Sequence, residues 1–164
     1  MKQIDVSTQK HPDAITMVDD SDFKSLMDCK CRWSASNYSR NSKTIYVTAR
    51  IDGKRVPMHR VILNAPDGME VDHIDGNGLN NQRSNLRLVT TQQNSWNRGI
   101  KSTNKSGYKG VCFRKASNMW RSSIWLNGKY ISLGSFFCLI KAAKAYDTAA
   151  IKYFGEFARL NFPE

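Results

Sequence analysis

Long hydrophobic runs are missing from this chain. The longest, Phe136-Phe137-Cys138-Leu139-Ile140, spans five of 164 residues, against the ~20 that a helix needs to cross a bilayer. Cysteine is scarce too. Cys29, Cys31, Cys112 and Cys138 are the only four, and just the first two lie close together. A C-x-C pair without a second pair is a poor zinc signal and no framework for a disulfide-stapled miniprotein. All four are therefore expected as reduced thiols, with structural zinc the lesser alternative. The opening Met1-Lys2-Gln3-Ile4-Asp5 is polar and lacks the apolar core of an export signal, so secretion is not expected and the cytoplasm is. Acidic groups are few: 14 against 25 Lys and Arg, a formal charge of +11.

An excess of that size points to a polyanionic partner, nucleic acid first of all. The charge is also unevenly placed. Residues 1–28 carry a net −3, residues 29–56 a net +6, residues 57–100 balance at zero, and residues 101–164 carry +8. Two basic stretches thus flank a neutral one that holds two of the three histidines, a layout for gripping phosphate at the sides and acting in the middle. With 40% hydrophobic residues the chain has enough apolar material for a core, which excludes wholesale disorder.

Residues 1–28 are polar and aperiodic over most of their length and are expected as a partly flexible N-terminal tail. The β-branched and aromatic run Thr44–Ile51 predicts a strand, turned by Asp52-Gly53 into a return strand over Lys54–His59. A short apolar stretch, His59–Leu63, ends at Asn64-Ala65-Pro66-Asp67-Gly68. Met69–Ile74 predicts another strand, followed by a Gly- and Asn-rich loop over 75–81 and a strand over Asn85–Val89. Thr90 and Gln93 have the spacing of a capping box for a helix over Thr91–Arg98, stopped by Gly99. Ile100–Gly107 reads as a basic linker. Beyond it, Tyr108–Arg114, Trp120–Asn127 and Lys129–Phe136 predict three strands, and the alanine-rich spacing over Cys138–Phe154 predicts a helix that lies close on a sheet.

In the neutral middle, Asp72 and His73 sit at the end of a strand, Asn85 opens the next, and Asn94 lies in the first turn of the following helix. Together with His59-Arg60, Val71-Asp72-His73-Ile74-Asp75-Gly76-Asn77, Asn80-Asn81, Ser84-Asn85-Leu86-Arg87 and Gln93-Asn94, this run resembles the HNH nucleases, in the branch with asparagine as the last member. It is closest to the phage and intron-encoded homing-type endonucleases. The resemblance covers about residues 44–98 and implies a ββα-metal core within a module of residues 29–99. It implies His73 as general base, Asp72 and Asn94 as ligands of one Mg²⁺ (or Mn²⁺), and Asn85 as the catalytic-site residue that ties the loop to the strand. The residue types suit phosphodiester cleavage: a neutral imidazole can take a proton from water, and oxygen donors suit a hard divalent cation. His59 is expected to be structural, Asp75 a turn residue, and Arg98 a phosphate contact.

The C-terminal stretch carries Tyr108-Lys109-Gly110-Val111, Ile131-Ser132-Leu133-Gly134-Ser135-Phe136, Ala145-Tyr146-Asp147-Thr148-Ala149-Ala150 and Leu160-Asn161-Phe162-Pro163. It resembles the plant ethylene-response-factor (AP-two) DNA-binding domain over about residues 106–163, and the domain is expected at residues 108–164. That implies a three-stranded antiparallel sheet packed on one helix, the sheet entering the major groove. Lys109 and Arg114 match basic groove-facing positions, and Arg121 and Lys129 are candidate phosphate contacts. Trp125 and Ser132 stand where the plant domains usually carry arginine and tryptophan, and Cys112 replaces another arginine, so the plant target sequence does not transfer.

The expected protein is α+β, a DNA endonuclease that nicks double-stranded DNA as a monomer or weak dimer, in the host cytoplasm if phage-encoded. Two rivals remain at this point: a DNA-binding regulator on an inactive HNH fold, and an RNA-binding or RNA-cleaving protein.

Overall fold

The computed structural model describes residues 1–37 and 44–163. Arg40 and Lys43, two of the cations counted in the 29–56 stretch, lie outside the described residues. The chain divides into two compact units, Met1–Asn94 and Ser95–Glu164, in a mixed α and β architecture of small antiparallel sheets.

The first unit opens with a hairpin, β1 (Lys2–Asp5) on β2 (Ile15–Val18), followed by helix α1 (Asp20–Asp28). The tail expected at residues 1–28 is therefore ordered structure. Its apolar residues are few, yet Ile4, Val6, Ala14, Val18 and Leu26 all enter the core with Trp33, Val47, Met58 and Ile62. The buried Trp33 indole donates to the Leu26 carbonyl at 3.0 Å, so no polar atom of the ring is left unmet. Arg83 holds α1 by two bonds to Asp22, at 2.7 and 2.8 Å. Cys29 and Cys31 form a disulfide, not the expected thiols. The turn leaving α1 brings their Cα atoms to 5.3 Å, within the span a disulfide bridges. Cys112 and Cys138 are free and exposed.

Strands β3 (Ser34–Asn37), β4 (Ile45–Ile51) and β5 (Lys54–Pro57) make a three-stranded sheet with β4 in the middle. Asp52 and Gly53 turn β4 into β5 with φ of 48° and 75°, the left-handed pair that a two-residue hairpin requires. The apolar stretch after it coils into α2 (Met58–Ile62), burying Met58, His59 and Ile62. Next come β6 (Glu70–His73) and, after one 3-10 turn at Arg83–Asn85, its antiparallel partner β7 (Leu86–Val89). Helix α3 (Thr91–Asn97) follows at once. Its capping box forms as expected: the Thr90 N–H donates to Gln93 Oε1 at 2.8 Å, and the Gln93 N–H to Thr90 Oγ1 at 3.2 Å.

In the second unit, β8 (Val111–Arg114), β9 (Met119–Leu126) and β10 (Lys129–Phe136) form an antiparallel sheet in the order β10-β9-β8. Helix α4 (Leu139–Phe154) packs on it. Ala142, Ala143, Ala149 and Ala150 let α4 approach closely, and Ile124, Tyr146 and Phe154 fill the space between. Trp96 stacks on Phe154 with centroids 4.5 Å apart. Gly110 has φ of 74°, and a Cβ there would run into the Tyr146 ring. The stretch expected as a linker at 100–107 contains an ordered turn, in which Asn104 Oδ1 accepts from the N–H groups of Ser106 and Gly107 at 2.8 and 2.9 Å. Among the described residues no helix is long and apolar enough to cross a membrane.

Candidate active site

Strand β6 runs Glu70-Val71-Asp72-His73, and pleating sends successive side chains to opposite faces. Glu70 and Asp72 therefore share one face, and Val71 and His73 the other. The contacts agree. Asp72 lies opposite Arg87 in the ladder, and its Oδ2 accepts from Arg87 Nε at 3.0 Å and Nη2 at 2.8 Å. Asn94, on the first turn of α3, donates through Nδ2 to Glu70, which leaves its Oδ1 as the acceptor end. Asp72 and Asn94 are thus each paired with a residue given no role from sequence alone, Arg87 and Glu70 respectively. Alternation along β6 is the signal that could have found Glu70.

His73 has different neighbours. Its ring lies edge-on to His59, centroids 5.0 Å apart, and Tyr46 sits 5.7 Å from both rings. Its Nε2 meets Asn81 Oδ1 at 3.2 Å. Burial drives the His73 imidazole below the ordinary histidine range, while the Asn81 bond and the charges of Asp75 and Asp72 pull the other way. His59 is pushed down to about 3, first by burial and then by the charges of His73 and Arg60. Its Nδ1 is buried and has no hydrogen-bond partner among the described residues. Both rings are accordingly neutral near pH 7.

The 74–85 loop is built from side-chain amides. Asn85 Nδ2 donates to Asp75 Oδ1 at 2.9 Å and to the Asn80 carbonyl at 2.8 Å, and Asn85 Oδ1 accepts the Asp75 N–H at 3.0 Å. Asp75 also accepts from the Asn77 N–H and Asn80 Nδ2, so this turn residue is the hub of the loop. Partial burial pushes the Asp75 carboxyl pKa up, but the bonds from Asn77, Asn80 and Asn85 together outweigh it and leave it lowered. Gly78 sits under β4, where a Cβ would collide with the Ile45 carbonyl and the Tyr46 ring.

Among the described residues no group of three or more His, Cys, Asp or Glu side chains is arranged to hold a metal. The donors that are present are hard oxygens: the Asp72 carboxylate, the Asn94 amide oxygen and, bonded to Asn94, Glu70. That chemistry fits a hard divalent cation with water completing its shell better than zinc.

Of the residues expected to touch DNA, Arg114, Trp125 and Lys129 are exposed and Arg121 is half-buried. The register β8–β9–β10 places Arg121, Trp125 and Tyr130 on the outer face of the sheet, away from the face that carries Ile124. Arg121 lies 4.9 Å over the Tyr130 ring, and Trp125 meets the same ring edge-on at 5.6 Å. Arg98 is exposed just beyond α3. Lys109 corrects the groove-facing expectation. Its ammonium turns inward and donates to the carbonyls of Trp96 and Arg98, at 2.5 and 2.7 Å. The unpaired carbonyls at the end of a short helix attract a cation there. Burial and nearby Arg159 bring that ammonium down to about 8.

Comparison with known proteins gives independent matches to each part of the chain. A family model described as HNH endonuclease matches residues 57–96. The chain is 40% identical over 94 residues to Protein 3.8 of Escherichia phage T7, covering 57% of this chain and 77% of that protein. It is 37% identical over 113 residues to a protein of Acanthamoeba polyphaga mimivirus named as an uncharacterized HNH endonuclease, covering 65% of this chain and 58% of that one. APETALA2-like protein 2 of Oryza sativa subsp. indica is 47% identical over 57 residues, which is 35% of this chain but 13% of the plant protein.

Proposed function

The chain belongs to the HNH endonuclease family, and from that premise we propose that it nicks double-stranded DNA with His73 as general base. The observation that carries this reading is the environment of His73: an imidazole kept neutral by burial and aimed by a hydrogen bond from its own loop. Neutral imidazole is the form able to accept a proton from water. Asn85 acts on it from one step away, closing the 74–85 loop on itself at Asp75 and Asn80, just beyond the strand on which His73 stands. His73 is the last residue of β6, so a phosphate lying across the end of that strand meets His73 from one face and the Asp72 side from the other.

Asp72 and Asn94 would hold the cation, Mg²⁺ or Mn²⁺, in the manner of a ββα-metal site. A bound divalent cation supplies positive charge against the anionic phosphate and the leaving oxygen. Glu70 turns the Asn94 amide so that its oxygen, not its nitrogen, faces outward. Arg87 keeps the Asp72 carboxylate fixed in the ladder.

The second unit holds the duplex. The outer face of its sheet offers Arg114, Arg121 and Trp125, with Lys129 and Arg98 as phosphate contacts. A β-ribbon of this kind fits the major groove, and a tethered second contact raises affinity without new chemistry. One active site per chain cuts one strand, so a monomer or weak dimer produces nicks.

Supercoiled plasmid incubated with Mg²⁺ tests the reading. The wild-type protein is expected to yield nicked circles, and His73→Ala to lower the rate by about 100-fold or more while binding the plasmid as before. Absence of metal-dependent nicking by the wild type would establish the alternative, a DNA-binding regulator on an inactive HNH fold. Preference for RNA over duplex DNA in competition at moderate salt would establish the other.

A further inference from the structure

One polar relay joins the N-terminal hairpin to the histidine. Asn81 is fully buried. Its Nδ2 donates to Thr16 Oγ1 at 2.8 Å and to the Gly78 carbonyl at 3.3 Å, and its Oδ1 faces His73 Nε2 at 3.2 Å. Thr16, on β2, is also fully buried, and its hydroxyl donates to the Leu79 carbonyl at 2.7 Å. The backbone runs the same way: the Met17 N–H donates to the Leu79 carbonyl at 3.0 Å, and the Asn81 N–H to the Met17 carbonyl at 2.8 Å. The strand expected as a loose tail is thus bonded to the loop that follows the Asp72-His73 pair.

These contacts decide which way the amide points and where the imidazole hydrogen sits. The Gly78 carbonyl can only accept. Thr16 Oγ1, having given its hydrogen to Leu79, must accept from Asn81. The amide atom facing them is therefore the nitrogen, and the oxygen faces His73. An amide oxygen cannot donate, so His73 Nε2 carries the hydrogen. Neutral imidazole has one N–H and one acceptor nitrogen, and the acceptor is then Nδ1.

We propose that Thr16 and Asn81 are positioning residues that lock His73 in the Nε2–H tautomer, making Nδ1 the nitrogen that receives the proton from the attacking water. This rests on His73 being the general base. The device is rigid because its members come from distant parts of the chain: Asn81 is held by a strand 65 residues away in sequence, and rotating its amide would set nitrogen against nitrogen at His73 and oxygen against oxygen at Gly78.

The test is nitrogen NMR on full-length protein labelled with ¹⁵N-histidine, at about pH 8, above the ordinary histidine range. His73 is expected to show a pyrrole-type Nε2 and a pyridine-type Nδ1. Thr16→Val and Asn81→Ala are expected to move both signals toward a mixture of tautomers, and to lower kcat for plasmid nicking by roughly 10–100-fold with KM for DNA little changed. Thr16→Ser, which keeps the hydroxyl, keeps the wild-type spectrum. Thr16→Val carries the test if Asn81→Ala does not fold, since it replaces only a hydroxyl by a methyl group. A wild-type Nδ1–H tautomer overturns the proposal, as does a wild-type spectrum in the folded variants. A shifted tautomer with unchanged kcat overturns the positioning role. Because the spectrum is independent of activity, wild-type nicking by His73→Ala would instead remove the base assignment on which the proposal rests.

Discussion

The two units place their polar groups in opposite ways. The first buries them: Thr16, Asp72, His73, Asn81 and Asn85 are all shielded from water and are met by specific partners. The second buries chiefly alanine, isoleucine and aromatic rings, with Asn97, Ser122 and Asp147 as its buried polar residues, and turns cations and aromatics outward from its sheet. Buried polar networks cost stability unless every member is satisfied, and once satisfied they fix side chains in one arrangement. A unit that does chemistry needs that rigidity. If the second unit grips a charged polymer, as proposed above, it needs a firm platform with its charges in solvent, and an apolar core supplies it. Disturbing the first unit should therefore act through hydrogen bonds and protons, and disturbing the second through shape and charge.

The largest effect is expected at Asn85, which makes three bonds of 2.8–3.0 Å to Asp75 and Asn80. Asn85→Ala leaves partly buried groups unmet, at a cost of about 3 kcal/mol in urea unfolding. Plasmid nicking should fall by at least roughly 10-fold even at temperatures where the variant stays folded, because the His73 loop loses its tie. A variant that unfolds more easily yet nicks at the wild-type rate would show that the network is structural only.

Gly110→Ala tests the apolar unit. The added Cβ meets the Tyr146 ring, and the residue must keep φ at 74°. Overpacking and backbone strain together cost about 2–3 kcal/mol. The expected outcome is weaker DNA binding with an unchanged nicking rate at saturating DNA. A loss of the chemical step instead would mean that the division of labour is wrong.

Acid should act on the first unit alone, because His11, His59 and His73 all lie before residue 95. His59 stays neutral in the folded chain down to about 3, whereas in the unfolded chain it takes up a proton below ~6.5. Between those values the unfolded state binds more protons, so stability is lost as pH falls and is whole above that window. At pH 5 the loss from His59 is about 2 kcal/mol, and His73, also lowered, adds to it. Comparing urea midpoints at pH 7 and pH 5 should show this fall in the wild type and a smaller one in His59→Gln.

Local signals were legible in the sequence, and distant ones were not. The Asp52-Gly53 turn, the Thr90–Gln93 capping box and the spacing of Ala142, Ala143, Tyr146, Ala149 and Ala150 each announce an element from within a few residues. The hairpin β1–β2 escapes because its strands are four residues long and their burial does not follow polarity: polar residues flank Ile4 in β1, while β2 buries Thr16 and exposes Ile15. The Asp72-His73 pair and its asparagines stand out by type and spacing. Thr16 and Glu70 do not, since one contributes through a contact 65 residues away and the other through the pleat of β6. Lys109 shows the opposite failure. A lysine that matches a groove-facing position of the AP-two domain looks like a DNA contact, and only its surroundings reveal a helix end as its partner.

The smallest effect is expected on the outer sheet of the second unit, where single charges act in solvent. Arg114 is exposed on β8, and Arg121 is braced over Tyr130 on β9. If both neutralise phosphates, Arg114→Ala and Arg121→Ala should each weaken duplex binding by about 3–10-fold and reduce the slope of log affinity against log salt by about 1. The nicking rate at saturating DNA should not change. Bracing separates the two. Stacking on Tyr130 holds the Arg121 guanidinium in place, so Tyr130→Ala should weaken binding through Arg121 and add little once Arg121 is already alanine. Arg114 has no such ring in the register, and Tyr130→Ala combined with Arg114→Ala should be additive. If the salt slope instead stays constant while affinity falls, the face reads base edges and not phosphates, and the charge of the second unit serves selection more than grip.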